Sequence, residues 1–298
     1  MMSDRNTITR KQFRHRFLKN EQDVFTHNAW DNVEWNEEQK NQAITQVCEH
    51  LQTKMSVEDA NDLQNNADQN WEKFYSIHQE KFFKNRCWLF TEFPEITALY
   101  ERESSNLLEV GCGVGNSVFP ILTHYEKNNV HVYCCDFSTN AINILKNNPE
   151  YDASKCTAFV CDITSEEWNT PFELESLDII LLVFVLSAVQ PNKLNQTINK
   201  FYNYLKPGGM ILFRDYGRFD MAQLRFKEGR CISDNYYSRG DGTLVYFFSQ
   251  DDLRKLFVSN GGFHEIQNIV DRRLQVNRGK QLKMYRVWIQ CKFQKPLT

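Results

Sequence analysis

The chain has 298 residues, 41% hydrophobic and 24% charged, with a formal net charge of -3, a balance that excludes the low-hydropathy, highly charged class of disordered chains. Its longest apolar run, IILLVFVLSAV at 179–189, falls short of the ~18 to 20 residues of a membrane-spanning helix. The run is therefore expected to be a buried strand, and no membrane partner is expected.

Nine cysteines include no C-x-x-C pair, so no metal site is expected, and with no apolar signal-peptide core at the N-terminus the expected setting is a reducing cytoplasm. Charge is unevenly placed. Residues 1–20 carry six Lys/Arg against Asp4, residues 271–298 carry eight against Asp271, and residues 34–70 hold eight acids against Lys40 and Lys54. Basic ends suit a polyanionic partner, although solvated faces would read the same way from charge alone.

In chain order, residues 50–70 (HLQTKMSVEDANDLQNNADQN) show little apolar periodicity and read as a polar linker. From residue 107 the pattern becomes strand, turn, helix, repeated. NLLEVG and HVYCCDF read as strands, NSVFPILTHYEK as a helix start, and STNAINILKNN as a helix capped by Ser138. CTAFVCDI, LDIILLVFVLS and MILFRDYG continue as strands, with a helix over KLNQTINKFYNYL and a turn at KPGG. SQDDLRKLFVSNGG reads as a helix capped by Ser249 and stopped by Gly261 and Gly262, before closing strands FHEIQNIV and YRVWIQCKF. Near-continuous apolar strands alternating with helices imply a Rossmann-like, doubly wound α/β domain with a mostly parallel sheet. Residues 217–248, rich in Arg, Tyr, Phe and Gly, are an insert in that scaffold.

The stretch LLEVGCGVGNSVFP carries the ligand signal. Gly111, Gly113 and Gly115 are spaced G-x-G-x-G, and Asn116 stands where a dinucleotide fingerprint requires its last glycine, so a pyrophosphate site is not implied. Glu109 precedes the turn within its strand and suits an ammonium-bearing ligand. Asp136 ends the second strand, where a carboxylate can accept from ribose hydroxyls. Asp162 ends the third, placed for an adenine amino group, with Ile163 against the base.

Acid, glycine turn, acid and acid at successive strand ends resemble the class I S-adenosylmethionine-dependent methyltransferases. RKQFRHRFL, VFTHNAWDNVEW, WEKFYSIHQEKFFKNRCWLFTEFPE, FVLSAVQP, LFRDYGRFDMAQLRF and YYSRGDGTLVYFF, spread from about residue 10 to about 296, resemble the eukaryotic tRNA 3-methylcytidine methyltransferases. HNAWDNVEW is similar to the branch acting on threonine and arginine tRNAs. The resemblance implies a seven-stranded sheet with helices on both faces and an N-terminal helical extension. It also implies S-adenosylmethionine as cofactor and methylation of cytidine 32 in the anticodon loop of tRNA, with no role for DNA and with scope for a tRNA-specific accessory protein. It divides the chain into a basic tRNA-binding segment and helix at 1–49, the linker at 50–70, a cap over cofactor and tRNA at 71–104, and a methyltransferase domain at 105–298. By position in the family motif, Trp71, Tyr75, Gly111, Asp136, Asp162, Ile163 and Val183 contact the cofactor, together with Gly113 of the turn.

For the substrate side, Asp215 is the candidate acceptor near the base's exocyclic amine, with Arg214 as its neighbour or ion-pair partner. Aromatic platforms for a splayed base are sought in Phe82, Phe83, Tyr216, Tyr236 and Tyr237. The interleaved Lys84, Arg86 and Arg239 are the candidates for RNA contact. Two other readings fit the residues: a methyltransferase of a protein or small molecule, and a non-catalytic tRNA-binding scaffold.

Overall fold

The repeated strand and helix units fold in the order in which the sequence sets them out. The computed structural model describes residues 16–81, 84–124 and 129–298, so Phe82, Phe83 and the basic residues up to Arg14 lie outside the described residues. The N-terminal part holds a short strand β1 (Ala29–Asp31) and helices α1 (Glu37–Gln52), α2 (Val57–Asn65) and α3 (Ala67–His78). Two short helices, α4 (Leu89–Glu92) and α5 (Pro94–Leu99), lead into the core. The core runs β2 (Ser105–Val110), α6 (Val118–His124), β3 (Val130–Asp136), α7 (Thr139–Lys146), β4 (Cys156–Val160) and β5 (Leu177–Val183). It continues with α8 (Leu194–Tyr204) and β6 (Leu205–Tyr216).

The insert folds as α9 (Met221–Leu224) and a separate three-stranded sheet of β7 (Cys231–Ser233), β8 (Tyr236–Ser238) and β9 (Leu244–Tyr246). The chain closes with α10 (Gln250–Leu253), which continues as a π-helix over Arg254–Ser259, and the long hairpin β10 (His264–Asn277) and β11 (Leu282–Gln294). Both predicted caps form: the Ser138 hydroxyl accepts from Ala141 N–H at 3.1 Å, and Ser249 and Asp252 make a reciprocal capping box.

The large sheet has the order β1-β10-β11-β6-β5-β2-β3-β4, parallel from β6 to β4 and antiparallel from β11 outward. At its centre β5 has all seven residues buried, as an unbroken apolar strand requires when both faces are covered. Eight strands form where seven were expected, because the segment HNAWDNVEW supplies β1. Ala29, Trp30 and Asp31 pair with Gln275, Leu274 and Arg273. The Trp30 indole packs with Leu274 and Val276 and donates to the Val24 carbonyl at 2.8 Å. Over Arg273, Leu274 and Gln275, β1 covers an edge of β10 that would otherwise be open for pairing.

The expected linker at 50–70 is instead mostly helical. Ser56 caps α2, and α3 starts at Ala67 rather than at Trp71. Long-range polar contacts join them to the core, Gln190 Nε2 donating to the Gln64 carbonyl at 2.9 Å and Asn70 Nδ2 to the Gly242 carbonyl at 3.1 Å, while Phe74 and Tyr75 of α3 pack with Val114 and Ala141.

On the face of the sheet toward α4, Arg214 Nη2 lies 2.5 Å from Asp271, Nη1 donates to Gln290 Oε1 at 2.6 Å, and Arg273 bridges Asp271 and Glu92. Arg214 and Asp271 are both nearly fully buried. Removing one partner strands the other charge. Asp271→Ala is therefore expected to destabilise the fold by ~3–5 kcal/mol, read as a lowered midpoint in urea, and Arg214→Met in the same chain should recover much of the loss.

Candidate active site

A cleft of about 470 Å³ opens at the C-terminal ends of the parallel strands, roofed by residues of α2 and α3. This is where an open α/β sheet offers its loops to a ligand. Trp71, Tyr75, Gly111, Asp136, Asp162 and Ile163, each expected from the sequence, line one cleft. Val183 does not. It is buried in the core behind the sheet's end, and the next two residues, Phe184 and Val185, line the cleft in its place.

Close packing accounts for the glycine turn. A Cβ on Gly111 (φ +62°) would sit 2.4 Å from Val185, and one on Gly113 (φ +53°) would sit 2.6 Å from the Tyr75 hydroxyl. The turn is thus shaped by the wall of the cleft on one side and the α3 roof on the other. Asp136 fixes it in place: its carboxylate accepts from Gly113 N–H at 2.9 Å and from Ser138 N–H at 3.0 Å. From α3, Glu72 accepts from the Ser138 hydroxyl at 2.5 Å and from Asn140 N–H at 3.1 Å, tying the roof to the start of α7. Sequence reasoning did not single out Glu72, although it lies in the family-like stretch WEKFYSIHQEKFFKNRCWLFTEFPE.

The lining is acidic. Burial pushes Asp136 up to about 6 against the help of its N–H donors, and pushes Glu109 up to about 7 against the pull of Arg86. Glu109 is fully buried beside the turn, with Oε1 3.5 Å from Arg86 Nη1 and Oε2 without a partner. Asp162 lies exposed at the other end, accepting from Thr164 N–H at 2.8 Å. Two raised carboxylates, one of them with an orphaned oxygen, fit a ligand that brings cationic and hydroxyl groups, and they do not fit a pyrophosphate.

Beside the cleft wall lies an aromatic and cationic patch. Phe184, held at φ +58°, stands 5.1 Å from the ring of Tyr216 and 6.5 Å from that of Trp288. The Arg239 guanidinium lies 5.5 Å over Tyr216, and that of Arg86 lies 6.0 Å from Phe184. Tyr216 is half-buried, whereas Lys84 is exposed. Phe184 and Trp288 were not singled out from the sequence. Only FVLSAVQP, which begins at Phe184, carried a signal for either.

Other expected residues are placed elsewhere. Tyr236 and Tyr237 are core of the small sheet, Tyr237 stacking on Phe226 at 4.7 Å and meeting His50 of α1, so neither offers a face to a base. Asp215 is fully buried and spends both oxygens on backbone donors, Ser187 N–H at 2.9 Å and Tyr216 N–H at 2.8 Å. It shapes the loop after β5 and does not line the cleft. Arg214, its strand neighbour, points to the opposite face, where it pairs with Asp271 rather than with Asp215.

Among the described residues, no helix is long and apolar enough to cross a membrane. Comparison with known proteins agrees with the geometry. A methyltransferase-domain family model matches residues 108–211. A Danio rerio tRNA N(3)-cytidine methyltransferase METTL2 is 51% identical, covering 97% of this chain and 90% of its own. A Schizosaccharomyces pombe tRNA N(3)-methylcytidine methyltransferase trm140 is 43% identical over 96% of this chain and 92% of its own. Among solved structures, SAM-dependent methyltransferases from Methanosarcina mazei and Clostridium acetobutylicum share the fold, each with a TM-score of 0.52, at 17% and 13% identity. They cover 69% and 76% of this chain, and 99% of each of those chains is covered. With a methyltransferase cleft of this construction and relatives of this similarity along nearly its whole length, the chain belongs to the S-adenosylmethionine-dependent tRNA N(3)-cytidine methyltransferase family.

Proposed function

We propose that this enzyme methylates N3 of cytidine 32 in the anticodon loop of threonine tRNA, with arginine tRNA as a second substrate. The observation that carries the reading is the junction of an acid-lined cleft with a half-exposed Phe184–Tyr216 pair beneath Arg239. The first suits an adenosine bearing an amino acid and a positive sulfur; the second suits a base lifted out of a hairpin loop, where unstacking costs little. HNAWDNVEW, which builds β1, supports the threonine and arginine branch.

Bound S-adenosylmethionine supplies an electrophilic methyl group, and cytosine N3 carries a free lone pair near neutral pH, so no strong general base is required. The protein's work is alignment and exclusion of water. Asp136 is assigned to the ribose hydroxyls, Asp162 to the adenine amino group, and Ile163 and Trp71 to the faces of the base. Helices α2 and α3 keep water from the cleft through Glu72, Asn70 and the Gln64–Gln190 contact. Phe184 and Tyr216 hold the cytosine ring, and Arg239 faces its backbone.

Incubation with labelled S-adenosylmethionine and a mixed tRNA pool should place label in 3-methylcytidine, and Asp136→Ala should abolish it. Label in protein or in another nucleoside would overturn the assignment. Tyr216→Ala should leave cofactor affinity unchanged while lowering kcat/KM for tRNA by about ten- to a hundredfold, the loss of one stacked base at ~1–3 kcal/mol.

The raised carboxylates set a pH dependence. Below about 6 to 7 Asp136 and Glu109 hold protons in the free enzyme, and a ligand that prefers their ionised forms must displace those protons. Cofactor affinity should therefore strengthen as pH rises from 5.5 toward 7.5 and then level. Titration calorimetry in buffers of different ionisation enthalpy should register proton release near pH 6.5, and Glu109→Gln should shrink it.

A further inference from the structure

Three consecutive residues of α3 reach three different partners. Neighbouring side chains of a helix leave its axis about 100° apart, and here that splay sends Asn70 to the insert, Trp71 into the cofactor cleft and Glu72 to the start of α7. The Asn70 contact is close. Its Nδ2 donates to the Gly242 carbonyl at 3.1 Å, and a Cβ on Gly242, held at φ +84°, would lie 3.0 Å from Asn70 Oδ1. Gly242 belongs to a tight turn that opens on Arg239. The Arg239 N–H donates to the Thr243 carbonyl at 2.8 Å, the Gly242 N–H donates to the Arg239 carbonyl at 3.1 Å, and Asp241 accepts from the Thr243 N–H at 2.9 Å. One short turn thus carries both the guanidinium that lies over Tyr216 and the seat of Asn70.

The insert bears the roof at a second place. Between α1 and α2, the Met55 N–H donates to the Cys231 carbonyl of β7 at 2.8 Å, and the Gly229 N–H donates to the Thr53 carbonyl at 2.8 Å. The roof is therefore seated on the insert before α2 and again in the first turn of α3. On the substrate reading above, tRNA bears on Arg239 and Tyr216 while the cofactor lies beneath Trp71, so the two ligands act on one turn and on the helix that rests on it. We propose that the Asn70–Gly242 contact couples them: tRNA on Arg239 fixes the turn, and the turn holds Trp71 over the cofactor. Asn70 is then a positioning residue, which acts through Trp71. The coupling is mutual, because the factor by which tRNA strengthens cofactor binding is the factor by which the cofactor strengthens tRNA binding. Its use is to close the cleft most firmly when both reactants are present, which is when water must be kept from the methyl donor. A packing contact that merely steadies the insert on the core is the competing account, and it makes neither ligand depend on the other.

The test is titration calorimetry of the whole protein with S-adenosylhomocysteine, in the absence and presence of a saturating threonine tRNA transcript. The wild-type protein should bind S-adenosylhomocysteine about fivefold or more tightly with tRNA present, and saturating S-adenosylhomocysteine should strengthen tRNA binding by the same factor. Asn70→Ala should bring both ratios close to one. Asn70→Asp, which keeps the shape but turns a carboxylate toward the Gly242 carbonyl, should do the same and so separates the donated hydrogen bond from packing. Equal loss of S-adenosylhomocysteine affinity with and without tRNA in both variants, the wild-type ratio being kept, would overturn the coupling and leave Asn70 a structural contact. A wild-type ratio of one with both ligands bound would overturn it as well. A wild-type protein that binds S-adenosylhomocysteine but no threonine tRNA would instead overturn the substrate reading on which the coupling rests.

Discussion

A single buried carboxylate organises the ligand-binding end of this molecule. Asp136 closes β3, and by accepting from Gly113 and Ser138 it holds the glycine turn and the first turn of α7 in fixed relation. The Ser138 hydroxyl then passes the constraint on to Glu72 and so to α3. Floor, wall and roof of the cleft are thereby referred to one residue, whose ionised form is disfavoured until a ligand arrives. Such a group costs stability in the empty protein and returns it on binding, the arrangement expected where recognition rather than folding sets the residue.

The same economy governs the two faces of β6. Alternate side chains of a strand point to opposite sides, and here that separates two buried charges with different duties. Asp215 faces the loop after β5 and props it through backbone N–H groups, which sets the position of Phe184 and Val185 beside the cleft. Arg214 faces the other layer and joins β10, β11 and α4 through Asp271, Gln290 and, by way of Arg273, Glu92. The half-exposed aromatic patch rests on the seam between them.

What could be read from the sequence follows from how local its causes are. The parallel core was legible because continuous apolar strands and hydroxyl caps such as Ser138 and Ser249 declare themselves within a few residues. Asp136, Asp162 and Gly111 were legible because strand ends place them together in any fold of this type. The α2 helix was not, since it is held by single polar contacts to Gln190 and, through neighbouring α3, to Gly242, far along the chain. Nor could composition separate Tyr216, which lies over Phe184, from Tyr237, which fills the insert's own core. Val183 and Phe184 differ by one position, and where β5 ends decides which of them reaches the cleft. The adjacency of Arg214 and Asp215 suggested a pair that the pleat forbids.

The pairing of β1 with β10 ties segments separated by most of the chain. Loop closure of that length is slow to form and contributes only when both segments exist. During synthesis the Trp30 segment must therefore wait, unpaired, until the hairpin that receives it has been made. The sheet is sealed as a late event of biogenesis, and a nascent chain stalled before Leu274 would carry an apolar tryptophan with no place to dock.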